Sequence, residues 1–272
     1  MECKLKRNPS LDRRRFLPRG LAGFGALSLA GCDRLSESRG FLDFIGSAEK
    51  VTQRVQRLLI GQSLAPEFRE DQISKQFKAN GTIDPIDKDY RALAKNQFAD
   101  WTLKIDGLVE RPTQLTLAEL RAMPSRTQIT RHDCVEGWSC IGKWKGVPLS
   151  AVLERVGVKS EARYVVFHCA DTMEDSGGLE GGAEGSPKGP KYYESIDLVD
   201  AHHPQTILAY EMNGETLSVP HGAPLRLRVE RQLGYKMAKY VMRIELVESF
   251  AKIGRGKGGY WEDNGYEWYA GI

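Results

Sequence analysis

Several absences narrow what this 272-residue chain can be. It has no Cys-x-x-Cys pair, which makes zinc-ribbon and thioredoxin-type sites poor readings, and no Cys-x-x-Cys-His, which excludes c-type haem attachment. No Gly-Lys-Ser or Gly-Lys-Thr accompanies its glycine-rich segment, so it has no P-loop. No apolar run reaches the roughly 20 residues that a membrane-spanning helix needs. An excess of one charge is also missing: 39 Lys and Arg stand against 36 Asp and Glu. Seven of those basic residues and two of the acidic ones fall within residues 1–31, leaving 32 basic against 34 acidic residues in the remainder. A body so near neutrality gives no reason to expect a nucleic-acid partner.

The N-terminus reads as an address. Asp12-Arg13-Arg14-Arg15-Phe16-Leu17 is a twin-arginine pattern, and the short apolar run Leu21 to Ala30 completes an export signal over residues 1–31. The twin-arginine translocase carries proteins that are already folded, often with a cofactor inserted. Leu29-Ala30-Gly31-Cys32 has the form of a lipobox, so Cys32 is expected to carry a lipid that anchors the protein in the periplasm or cell envelope. The alternative is an ordinary signal in which Cys32 is incidental. Residues 32–60 are expected to form a tether (Ser36 to Gly46) and a helix whose Val51, Val55, Leu58 and Leu59 share a face packed on the body. The body is expected to run over 61–250, followed by a glycine- and aromatic-rich tail at 251–272.

Of five cysteines, Cys3 leaves with the signal and Cys32 is taken by the lipid. Cys134, Cys140 and Cys169 remain, an odd number in an oxidising compartment, so at least one is free or ligating. Cys134 stands out because Arg131-His132-Asp133-Cys134-Val135-Glu136-Gly137-Trp138-Ser139-Cys140-Ile141-Gly142-Lys143-Trp144 gathers a cysteine, a carboxylate and two tryptophans on what reads as a short connection. Strands are expected at Trp101–Asp106, Arg126–Cys134, Tyr164–Cys169, Thr206–Met212, Leu225–Glu230 and Val241–Glu248, with a hairpin turn at Asn213-Gly214. Short helices are expected after the capping box Thr116-x-x-Glu119, over Pro148–Val156 and over Ile196–Ala201. Strands and helices in no strict alternation indicate an α+β fold with mixed sheets. Ser176 to Pro190, with six glycines, is either a flexible surface loop or a lid.

Polar residues punctuate the strand ends: Asn80, Arg131, Cys169, His221, Arg226, Lys236 and Lys239. Singly each has an ordinary reading, as a turn histidine or a solvated strand face. Together they suit an anionic, phosphate-bearing organic cofactor.

The stretch Arg131 to Trp144, with Gly146-Val147-Pro148-Leu149, His203-Pro204-x-Thr206, His221-Gly222-Ala223-Pro224-Leu225-Arg226-Leu227 and Gly234-Tyr235-Lys236 through Lys239, resembles the sulfite-oxidase-like molybdopterin oxidoreductases over roughly residues 75–250. By motif it is most similar to their periplasmic methionine sulfoxide reductase branch. The resemblance implies that fold, molybdenum held by Cys134, and molybdopterin without a nucleotide. It implies pterin contacts at Asn80, Cys169, His221, Arg226 and Lys236, Met237, Ala238 and Lys239. That branch usually has Thr where Cys169 stands and Asn where His221 stands. Glu136 and Arg131 would lie beside the metal as catalytic groups, or Glu136 would simply pair with Arg131 or a lysine. Sulfite oxidases place arginines four and five residues after the cysteine, where this chain has Trp138 and Ser139. The expected reaction is therefore two-electron reduction of a small-molecule or protein-bound S-oxide or N-oxide, fed by a membrane cytochrome or quinol-linked donor. Two alternatives stay open: a sulfite dehydrogenase passing electrons to a c-type cytochrome, and a non-catalytic lipoprotein of the same fold.

Overall fold

Alternation along Thr102-Leu103-Lys104-Ile105-Asp106 sends Leu103 and Ile105 into the interior and their polar neighbours outward, as a half-buried strand requires. This is β1 (Thr102–Gly107) of the computed structural model, which describes residues 38–61, 63–172 and 189–272. The chain falls into two units, 1–58 and 59–272. The export signal and lipobox lie outside the described residues, as does residues 173–188 of the glycine-rich segment.

In the first unit, helix α1 (Arg39–Ile60) begins earlier than expected and takes in most of the segment read as a tether. Val51, Val55, Leu58 and Leu59 are exposed. No described helix is long and apolar enough to cross a membrane.

The second unit holds two five-stranded sheets. The first has the order β2 (Thr113–Thr116), β1, β10 (Val241–Val247), β5 (Tyr164–Thr172), β6 (Lys191–Asp197). Here β1 runs parallel to β10, with Lys104 opposite Arg243, and the other pairs are antiparallel. The second sheet is antiparallel: β3 (Arg126–Asp133), β4 (Ser139–Pro148), β7 (Ile207–Met212), β8 (Glu215–Thr216), with β9 (Arg226–Arg228) also on β7. The α+β expectation holds. Helix α2 spans Lys88–Lys95. The Thr116 hydroxyl and Glu119 carboxylate form the capping box that opens α3 (Leu117–Ala122). In α4 (Leu149–Val156) Leu149, Val152, Leu153 and Val156 are all buried, one helical face against the main core.

Two expectations need correction. The stretch 131–144 is not one connection: it is mostly the β3–β4 hairpin, Asp133 pairing with Ser139, and only 134–138 turn. Ile196 and Asp197 belong to β6, so α5 is only Leu198–Ala201. The aromatic tail packs on the body. Trp268 Nε1 donates to the Ser195 hydroxyl at 2.9 Å, Tyr193 donates to Asp263 at 2.6 Å, and α6 (Tyr260–Asp263) lies beside β6.

Candidate active site

The hairpin turn fixes Cys134. Its N–H donates to the Trp138 carbonyl and its own carbonyl accepts from Gly137, both at 3.0 Å. Cys134 is 9% exposed and lines a cleft of about 70 Å³. Burial pushes the thiol's pKa up, and the backbone N–H groups of Glu136 and Val135, aimed at the sulfur, act against that by favouring the thiolate. Asn80, Glu136, Asp171, Met237 and Lys239 line the same cleft. Glu136 is held at the rim by Trp138 Nε1, which donates at 2.9 Å, and by Lys78 at 3.4 Å. Behind the turn Phe77 stands edge-on to Trp144, Trp138 and His221. Gly234 also lines the cleft and touches the His132 ring, where any β-carbon would collide with it.

The buried cations behave differently from one another. Lys239 Nζ donates to the carbonyls of Asn80 (2.7 Å), Thr82 (2.5 Å) and Pro220 (2.9 Å) and so ties the 80–82 loop to the site. Burial, then Arg226, push it down to about 7, against the pull of Asp171 and Cys169. Lys236 is fully buried between Glu194 and Glu262. Arg226, also fully buried, lies 4.9 Å over the Trp144 ring and donates through Nη1 to the His221 carbonyl at 3.0 Å. Its Nε and Nη2 have no partner. Burial and the neighbouring Arg228 lower it to about 9. A guanidinium buried with two free donors is costly unless an anion comes to meet them.

The model of the oxidoreductase molybdopterin binding domain matches residues 91–252. The chain belongs to the molybdopterin-binding oxidoreductase family. It is 36% identical over 260 residues to a protein of Azospira oryzae provisionally named protein-methionine-sulfoxide reductase subunit YedZ1, covering 95% of this chain and 87% of that one. It is 39% identical over 153 residues to the catalytic subunit MsrP of the protein-methionine-sulfoxide reductase of Xanthomonas axonopodis pv. citri, covering 56% of this chain and 46% of that one. Among solved structures, the sulfane dehydrogenase SoxCD of Paracoccus pantotrophus aligns with a TM-score of 0.47 and 25% identity over 56% of this chain and 39% of that one.

The residues present fit the family's cofactor. A soft sulfur ligand lines the cleft, and an unsatisfied guanidinium lies with Lys239 of that lining against Gly222, as a cysteine-ligated metal on a phosphate-bearing organic group requires. Among the described residues there is no group of three or more His, Cys, Asp and Glu that could hold a metal ion.

Within that cleft Cys134, Glu136, Asn80, Met237 and Lys239 come together. Arg131 does not. On the strand it alternates with His132, faces a separate groove lined by Phe68, Thr130 and Arg231, and pairs with Asp133 at 2.9 Å. Ala238 is core, 1% exposed. Cys169 is buried beside the main core, its thiol pushed well up by burial, in a neighbouring cavity that shares Tyr192 with the cleft. Both His221 ring nitrogens are engaged, Nδ1 with the Ser218 hydroxyl at 2.9 Å and Nε2 with the Phe77 carbonyl at 3.2 Å. Burial lowers its pKa, so the ring is neutral, with Nε2–H donating. Lys236 can offer only its backbone, because its ammonium is committed to the two glutamates.

The sequence reading missed Asp171, Tyr192, Tyr235 and Trp261, all lining the cleft. Asp171 is 4% exposed with Oδ1 unpartnered, and burial raises it to about 6. Its signal was available, because it stands two residues beyond Cys169 in the same strand.

Proposed function

We propose that this protein is a periplasmic molybdenum oxidoreductase that reduces an S-oxide or N-oxide, with Cys134 as the thiolate ligand of the metal and molybdopterin in its nucleotide-free form. The net reaction is oxide plus two electrons and two protons to the reduced sulfide or amine plus water. The observation that carries this reading is the composition of the Cys134 cleft. Its ionisable lining other than the cysteine is Glu136, Asp171, Lys239 and two tyrosines, and the lysine's three hydrogens already go to backbone carbonyls. A sulfite dianion entering there would face two carboxylates with no free cation among the described lining residues, a repulsive arrangement in a partly buried site. A neutral oxide meets no such barrier.

When bound, the cofactor supplies the two-electron redox chemistry. The chain's own residues position it. Cys134, held by the turn hydrogen bonds, anchors the metal. Arg226 Nε and Nη2 offer a fork to the phosphate. Lys239 fixes the Asn80–Thr82 backbone against the cleft. Trp138, braced by Phe77 and by the Lys78 ammonium 5.3 Å above its ring, puts an uncharged side chain at the sequence position where sulfite oxidases carry an arginine. The twin-arginine signal and the Cys32 lipobox support export and anchoring beside a membrane cytochrome or quinol-linked donor.

Steady-state reduction of methionine sulfoxide, dimethyl sulfoxide and trimethylamine N-oxide by the molybdenum-loaded protein with reduced viologen tests the reaction. Turnover of at least one oxide, and none of sulfite with cytochrome c, is expected. Sulfite turnover alone would overturn it. Intact mass of the membrane fraction should show a diacylglyceryl group on Cys32.

A further inference from the structure

Five aromatic rings form a connected chain, three of them on the lining of the Cys134 cleft. Tyr192 lies against Tyr260 (centroids 5.8 Å apart), Tyr260 against Trp261 (5.3 Å), Trp261 stacks on Tyr266 (5.1 Å), and Tyr266 meets Tyr235 edge-on (5.2 Å). The Tyr192 hydroxyl donates to the Tyr235 carbonyl at 2.6 Å and completes the circuit. Tyr235 in turn donates to the Glu267 carbonyl at 2.7 Å. Three of these rings, Tyr192, Tyr235 and Trp261, line the cleft together with Cys134, Val135 and Met237. The C-terminal segment thus supplies a wall to a site whose thiolate comes from the β3–β4 hairpin.

The position of the wall is fixed rather than adaptable. The residue after Trp261 is Glu262, 1% exposed and ion-paired to Lys236, and Asp263 accepts from Tyr193. Trp261 is only half-buried, so its ring is available to a ligand while its backbone is clamped. Aromatic faces attract positively polarised groups through the ring quadrupole, and thioether-type sulfur makes favourable contacts with rings. In an S-oxide or N-oxide the heteroatom is the positive end of the S–O or N–O dipole, and its methyl substituents share that polarity. The cleft's carboxylates, Glu136 and Asp171, favour the same sign.

We propose that this aromatic wall is the substrate-selecting surface of the enzyme, that its ligand class is methyl-bearing S- or N-oxides, and that Trp261 is the specificity-determining ring. The inference rests on the proposed oxide reduction. Trp261 acts on binding of the substrate's methyl groups and leaves the redox step itself alone.

The test compares wild type, Trp261→Ala and Trp261→Phe as molybdenum-loaded full-length proteins, with methionine sulfoxide and dimethyl sulfoxide as the S-oxide arm and trimethylamine N-oxide as the other. Trp261→Ala should raise KM by about three- to thirtyfold in at least one arm, the range expected for a lost ring contact. Its kcat should stay within about threefold, with molybdenum content and melting temperature unchanged, and Trp261→Phe should restore KM. An unchanged KM in both arms overturns the proposal, as does a loss of activity that simply follows a loss of molybdenum or of thermal stability. A loaded wild type that reduces neither class of oxide overturns the underlying reading as well, so the two failures are told apart by the wild-type lane.

Discussion

Lys236→Met tests how the site is held. The ammonium is completely buried, contacts Glu194 and Glu262, and lies 5.3 Å from the Trp268 ring. Burial and the neighbouring Glu262 raise the Glu194 carboxyl well above its ordinary value, against the pull of Lys236, while the two carboxylates hold the lysine's own pKa up against the effect of burial. The Lys236 ammonium is therefore the one positive charge set against the two buried carboxyl groups. Methionine has nearly the right volume but leaves the carboxylate without a counter-charge. Breaking a buried pair in this way costs about 3–5 kcal/mol. Urea denaturation of the cofactor-free protein, followed by tryptophan fluorescence, should show that loss at pH 8. The pH dependence has a definite sign. A carboxyl whose folded pKa is raised favours its protonated form in the fold, so the stability it allows is fullest below its unfolded value and is lost as pH rises through the folded value. The variant should therefore recover part of the loss by pH 5, and Glu194→Gln with Glu262→Gln in the same chain should restore most of it. A loss below about 1 kcal/mol, with no pH dependence, would show that the triad is not a buried ionic clamp and refute the reasoning.

Other expectations follow from the same contacts. Arg226→Met should leave the cofactor-free protein as stable or up to about 2 kcal/mol more stable, because it removes a buried charge with two unmet donors, while cofactor retention falls at least about tenfold; calorimetry and pterin content read the two effects. Arg131→Ala should leave molybdenum content and oxide reduction within about twofold of wild type, since Arg131 faces the other groove. Thr116→Ala should cost about 1 kcal/mol in urea by opening the capping box of α3, with no change in turnover.

How much the sequence disclosed depended on how local the determining interactions were. β1 and β5, the Asn213-Gly214 hairpin turn and the Thr116 capping box rest on neighbours in sequence, and they stand where pattern placed them. Strand β4 escaped because Gly142, Lys143, Lys145 and Gly146 interrupt its apolar residues, leaving Trp144 and Val147 to be buried without clean alternation. Strand β6 escaped for a related reason. Its Glu194 and Ser195 are polar, but partners far along the chain, Lys236, Gly258 and Trp268, allow them to be fully buried. Among candidate site residues, Asn80, Cys134 with Glu136, and Met237 with Lys239 are far apart in sequence and meet in one cleft. What meets the lysines' hydrogens, the carbonyls at 80, 82 and 220 and the two glutamates, is visible only once the chain is folded. Asp171 and Trp261 gave only the weak signals of a strand-end carboxylate and an aromatic tail.

The central claim is that Cys134 holds molybdenum on a pterin. Molybdenum by elemental analysis and pterin by fluorescence of its released oxidation product, measured per chain in wild type and in Cys134→Ala, test it most directly. The account predicts about one of each per wild-type chain, and loss of nearly all the molybdenum in the variant, as expected when the thiolate ligand is removed. Full molybdenum content in Cys134→Ala, or a wild-type protein that binds no pterin, would contradict it.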